Sequence, residues 1–163
     1  MLDAPALIEK HRAKGVLVDT NLLVLFLVGT VNRKRIANFK RTSDFTIEDY
    51  DLLERLIVWF GKLITTPHVL SQVSDLTDLA GRELAAVRGS FQLLVERAEE
   101  RYDASKFLVR DNCFTAFGLT DTAIVSLCSR GILVLTTDAQ LHWGLVSRGF
   151  DALNFNHLRP LAW

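Results

Sequence analysis

Three aspartates occupy places where an acid can do chemistry. The stretch "GVLVDTNLLVLFLVG" (15–29) is almost wholly apolar, yet it carries Asp19 and Asn21. A carboxylate in such surroundings is costly unless something binds it or water reaches it. Asp138 closes a second apolar run, "ILVLTTD" (132–138), and Asp121 falls in the first turn of the helix expected over "LTDTAIVSLCSRG" (119–131). Two strand-end acids and one helix-start acid can converge on one point. Carboxylates held ~4 Å apart repel by a few kcal/mol at an effective dielectric near 20, and a cation is the usual remedy. With oxygen ligands and no His/Cys set at zinc spacing, Mg²⁺ or Mn²⁺ is the natural choice. Asp19 and Asp138 are the expected direct ligands, with Asp121 binding directly or through water. Taken singly, each of the three also reads as an ordinary helix N-cap; three at mechanically related positions favour a shared site.

The elements that must position these acids alternate between strand and helix. "GVLVD" (15–19) is β-rich, and "TNLLVLFLVG" reads as a buried helix stopped by Gly29. A polar, basic segment follows (30–44). Thr46 then caps a helix with apolar residues at Leu52, Leu53, Leu56, Ile57 and Phe60. "LITT" (63–66) is a short strand, and Pro67 opens a helix that continues to Gly81. A long amphipathic helix is expected from Arg82 to Glu100, and Ser105 caps "KFLVRDNCFTAFG". Thr120 is the expected N-cap and Gly131 the C-cap of the helix bearing Asp121. "ILVLTTD" is the cleanest buried strand, "AQLHWGLVSRG" a helix closed by Gly149, and "FDALNF" a last strand. Such alternation implies a parallel sheet covered on both faces. Ligands of such sheets gather at the carboxyl ends of the strands, where Asp19 and Asp138 both emerge.

The bulk properties fit one domain over residues 1–163. Apolar residues make up 49% and charged residues 23%, an ordinary globular balance. Nineteen basic and nineteen acidic residues cancel, which excludes a general nucleic-acid coat and leaves only a local patch. Cys113 and Cys128, without CxxC spacing, read as reduced core thiols. No signal peptide is evident, and the longest charge-free apolar run is far shorter than the ~20 residues that span a bilayer. A soluble, cytoplasmic protein with no membrane association is expected.

"VLVDTNLL", "TTPHVLSQVSDL", "FGLTDTAI" and "LVLTTDAQL" resemble, in order, the four motif blocks of the PIN-domain family. The resemblance spans about residues 15–156 and implies a three-layer α/β/α sandwich with a central parallel sheet. It also implies a metal-dependent endoribonuclease, similar to the VapC-like bacterial toxins that a cognate antitoxin holds in check. Asp19, Asp121 and Asp138 match three acidic positions of the family site. Thr137 fits a supporting hydroxyl that bonds a metal-ligating carboxylate. In the second block the family usually has an acid where this chain has Gln72. An amide keeps an acceptor oxygen but loses the charge, so metal affinity or general-base power is expected to fall. Asp75, at i+3 on the same helix, is read either as the compensating acid or as a solvated helix residue. The implied chemistry is hydrolysis of RNA phosphodiesters.

Arg33, Lys34, Arg35, Lys40 and Arg41 are read either as a phosphate clamp for RNA or as a solvated loop. His68, at i−4 from Gln72, is either a phosphate contact or a helix-start histidine. His11, His142 and His157 show no ligand spacing. Trp59, Trp143 and Trp163 read as core or interface residues, with Trp163 docking on the body of the fold. The apolar helices at 48–60 and 82–98 are candidates for a homodimer interface. The rival functional reading is a catalytically inactive PIN domain that binds RNA or a protein. An aspartyl phosphotransferase is disfavoured because Asn21 stands where a second Asp is needed, and a dinucleotide-binding domain because no GxGxxG follows any strand.

Overall fold

The computed structural model describes residues 3–162, so Trp163 lies outside the described residues. In chain order the elements are α1 (Ala4–His11), β1 (Val16–Val18), α2 (Thr20–Val31), a 3-10 helix (Arg33–Asn38), α3 (Ile47–Phe60), β2 (Leu63–Thr65), α4 (Pro67–Leu76) and α5 (Gly81–Arg97). They continue with β3 (Glu99–Glu100), α6 (Ser105–Leu108), α7 (Phe114–Ser129), β4 (Leu133–Thr136), α8 (Ala139–Val146), β5 (Ala152–Asn154), α9 (Phe155–Leu158) and a terminal 3-10 turn (Arg159–Ala162).

The five strands form one sheet of order β3-β2-β1-β4-β5, parallel throughout. Successive steps from β1 run outward to β2 and β3; the chain then returns across the sheet to β4 and steps outward again to β5. With right-handed crossovers, these opposite directions of travel put the connecting helices on opposite faces. α2 lies against α3, α4 and α5, and α7 lies against α8, with α4 also touching α7. β1, β4 and β5 are buried throughout and β2 at all but its first residue, as strands covered on both faces must be, whereas the edge strand β3 is not buried. No helix among the described residues is long and apolar enough to cross a membrane.

Several boundaries differ from the sequence reading. Gly29 does not stop α2, which runs on to Val31 and ends at Asn32. A Cβ at Gly29 would run into the ring of buried Tyr50, so this glycine serves close packing of α3 on α2. The helix from Pro67 ends at Leu76, not Gly81. The helix expected to reach Glu100 ends at Arg97, and Glu99 and Glu100 instead pair with Ile64 and Thr65 as the edge strand. Ser105 begins α6 without capping it. Thr46 caps α3 as expected, in a reciprocal capping box with Asp49, and Gly61 (φ 64°) closes that helix. Asp49 is buried and held by Arg159 through two bonds of 2.9 and 2.8 Å, which tie the end of the chain to α3. Cys113 and Cys128 are buried free thiols. Trp59 and Trp143 are exposed and take no part in the core.

Candidate metal centre

The order of the sheet reverses between β1 and β4, and the crevice outside the carboxyl ends of two such strands is the usual ligand site of an open parallel sheet. Asp19 and Asp138 both stand there. The Asp19 amide donates to Leu135 O (3.0 Å), extending the β1–β4 ladder by one step, and its side chain then caps α2 by accepting from Leu22 N (3.4 Å). The other carboxylate oxygen accepts from the Thr136 hydroxyl and from Thr137 N (3.3 Å). Asp19 is only 5% exposed. Burial pushes its pKa up, and the bonds from Thr136 and from the amides of Leu22, Thr137 and Asn21 work against that rise. All of these donors are neutral.

Thr136, wholly buried at the end of β4, does more than bond Asp19. Its hydroxyl also accepts from the amide of Asp138 (2.9 Å), so one oxygen sets both acids. This corrects the assignment of the supporting hydroxyl to Thr137, which contributes only its main-chain N–H to Asp19. Successive side chains of a strand point to opposite faces, so a slip of one residue changes which hydroxyl faces the acid. The main-chain oxygen of Thr137 is held by Asn156 Nδ2 (3.2 Å), which braces the turn from the α9 side. Asp138 is exposed and caps α8 through one oxygen, which accepts from Leu141 N (2.9 Å). No described residue donates to its other oxygen.

Asp121 reaches the site through a break in α7. Gly118 has φ 77° and ψ −178°, outside helical space and in a region that favours glycine, and the helix restarts beyond it. The interruption therefore falls two residues before Thr120, the expected N-cap, and Thr122 Oγ1 donates back to Gly118 O (2.6 Å) across it. Asp121 is partly buried and takes no hydrogen bond from any described residue. Its pKa is pushed up to about 6, first by burial and then by the negative charges of Asp138 and Asp19. That mutual repulsion is the electrostatic sign that the three acids share a neighbourhood.

Among the described residues, no group of three or more His, Cys, Asp or Glu side chains is placed so that it could hold a metal ion by itself. The donor chemistry nevertheless suits Mg²⁺, which commonly keeps several waters and takes only one or two carboxylates directly. Asp121 and one oxygen of Asp138 lack protein donors. Asp19 retains lone pairs as well, since each carboxylate oxygen carries two. The donors are carboxylates alone, and no ammonium or guanidinium offsets them in the interactions of Asp19 or Asp121.

The remaining predicted residues divide. Gln72 is exposed on α4, and its Oε1 accepts from Thr20 Oγ1 (2.9 Å), one residue beyond Asp19. The position where the PIN pattern has an acid thus borders the site, with its amide oxygen already engaged. Asn21, exposed at the start of α2, contributes its main-chain N–H to Asp19. Asp75 is exposed and is not among the charges acting on Asp121. His68 is partly exposed in the first turn of α4, with Nε2 3.2 Å from Ser105 Oγ. The basic stretch begins beyond the far end of α2, about 18 Å along a twelve-residue helix from its start. Arg33 pairs with Asp51 (2.7 Å), Arg35 with Glu83 (3.1 Å) and Lys40 with Asp78 (3.0 Å); Lys34 and Arg41 are exposed. Thr136 and Thr20 escaped the sequence reading. The signal for Thr136 was the doubled threonine before Asp138, whereas nothing local marked Thr20. No family model matches the sequence, and no curated protein matches it.

Proposed function

We propose that this chain is a PIN-type ribonuclease that hydrolyses RNA phosphodiesters with Mg²⁺ or Mn²⁺ at Asp19, Asp121 and Asp138. The observation that carries the reading is the like-charge pressure on Asp121 from Asp138 and Asp19 at the switch point of a parallel sheet. A divalent ion bound there supplies Lewis acidity and a more acidic bound water. The chain's own residues do the rest. Asp19 is fixed by Thr136 and the start of α2; Asp138 is fixed by Thr136 and the start of α8; Asp121 is the acid with the least protein support, and burial and its acidic neighbours push its pKa up to about 6. Gln72 offers an oxygen but no negative charge, and Thr20 holds that oxygen, so it is a poor general base.

That same engagement favours a second reading, a weakened PIN domain that binds RNA or a protein without efficient turnover. In the first reading the closest functional parallel is a toxin restrained by an antitoxin protein. Homodimerisation would use the face of α3 and α5, where Val58, Trp59 and Leu93 are exposed beside a groove of about 370 Å³.

The deciding experiment is RNA cleavage with Mn²⁺ by the chain itself, by Asp19→Asn and by Gln72→Glu. Cleavage by the chain and not by Asp19→Asn supports the nuclease; cleavage by Gln72→Glu alone supports the weakened domain. If none of the three cleaves and saturating Mn²⁺ leaves the melting temperature unchanged, the metal-dependent reading fails.

A further inference from the structure

We infer that the segment from Arg101 to Arg110 is a landing strip for unpaired RNA, with Tyr102 and Phe107 stacking on bases and Lys106 and Arg110 taking phosphates. The inference rests on the ribonuclease reading and names the form of its substrate. Three observations support it.

The first is exposure. Tyr102 is 68% exposed and Phe107 58%, on a ten-residue stretch in which Val109 is exposed as well. Large rings left in water contribute little to the core, and flat aromatic faces suit bases that are free to unstack. The second is charge. Lys106 and Arg110 are exposed, and Lys106 Nζ lies 5.1 Å from the Phe107 ring centroid, so cation and ring form one unit. The one acid of the segment, Asp103, is already engaged by Arg130 (2.7 Å) and Ser126 (2.8 Å), and Asp111 just beyond the segment by the amide of Cys113 (2.8 Å), while Arg101 is itself paired with Glu99 (2.6 Å). The basic stretch after α2, by contrast, spends three of its five cations on neighbouring acids.

The third is position. Arg101 N donates to Thr65 O (2.9 Å), which places the segment at the carboxyl end of β2, on the same edge of the sheet as Asp19. His68 meets Ser105 Oγ at 3.2 Å, joining α6 to the first turn of α4, and Gln72 on the next turn holds Thr20 beside Asp19. α6 also packs on α7, the helix that carries Asp121. The strip is therefore joined to the Asp19 side of the site through α4, and its Asp103 is tied to the far end of α7 at Ser126 and Arg130. It supplies the positive charge and base contacts that three carboxylates cannot. A duplex hides the base faces that such rings would use, so an unpaired strand is the expected ligand.

The test measures binding of a fluorescent unpaired RNA 12-mer and of the matched duplex, by anisotropy in EDTA, across a salt series. The proteins are the wild type, Tyr102→Ala, Phe107→Ala and Lys106→Ala/Arg110→Ala, each shown to melt with the wild type. The strip predicts tighter binding of the unpaired strand. Each aromatic truncation should weaken that binding roughly tenfold, and the double charge variant should flatten the logarithmic salt slope by about 1.4. Variants that bind within twofold of wild type, or equal binding of the duplex, overturn it. Failure of the wild type to bind the strand also overturns it. Where the strip is overturned, cleavage of the same RNA with Mn²⁺ separates the two ideas: cleavage by the chain or by Gln72→Glu leaves the nuclease standing without the strip, and no cleavage by either, with no Mn²⁺ effect on the melting temperature, removes both.

Discussion

The most direct consequence of the proposed site is that Asp121 should destabilise the protein when no cation is present. Its pKa is raised from 3.8 to about 6. An acid whose folded pKa lies above its unfolded value holds its proton longer in the folded state, so folding stability falls as pH rises from about 4 to about 6 and is flat above. The full shift corresponds to roughly 3 kcal/mol, and screening at a partly exposed carboxylate reduces this to about 1–2 kcal/mol. Asp121→Asn removes the charge and keeps the shape. In EDTA at pH 7.5 it should therefore raise the melting temperature by about 3–6 °C for a chain of this size. At pH 4, where wild-type Asp121 is mostly protonated, the gain should vanish. Saturating Mn²⁺, at about a hundredfold over its dissociation constant, should stabilise the wild type by roughly 2.7 kcal/mol and the variant by less, closing or reversing the gap. The assay is thermal melting at both pH values with and without metal. A variant no more stable than wild type in EDTA at pH 7.5, or equally stabilised at pH 4, would show that the three acids do not press on one another.

Thr136→Val should destabilise by about 1–3 kcal/mol in urea melts, because it strips a donor from buried Asp19 and an acceptor from the Asp138 amide. Thr137→Val should change stability by less than about 0.5 kcal/mol, and a reversed order would refute the assignment of the hydroxyl. Gly29→Ala should cost about 1–3 kcal/mol through its collision with Tyr50. Gly89→Ala, inside α5 with open space around it, should stabilise by about 0.5–1 kcal/mol in the same melts. Neutralising Arg33, Arg35 and Lys40 together should leave RNA affinity within about twofold, since each is already paired; a tenfold loss in anisotropy titrations would restore the phosphate clamp.

Much of this molecule follows from local chemistry. Apolar runs that end in an acid define β1 and β4, and because side-chain acceptors start helices, Asp19, Thr46, Thr66 and Asp138 mark four helix starts. The three aspartates stand out in sequence because charge in apolar surroundings demands a reason. Other features depend on partners distant in the chain. Glu99 and Glu100 read as the end of an amphipathic helix, and only the open edge of β2 makes them a strand. Gly29 looks like a helix stop until Tyr50 is seen to need its missing side chain. The choice of Thr136 over Thr137 depends on which way the last residue of β4 faces, and the engagement of Gln72 depends on Thr20, a helix away. The reversal of strand order between β1 and β4 is likewise invisible in the chain, because strand order is settled by packing and not by succession. The sequence by itself determined which acids end apolar runs or begin helices; the tertiary structure decided which of those charges face one another, because repulsion and hydrogen bonding act across space and take no account of distance along the chain.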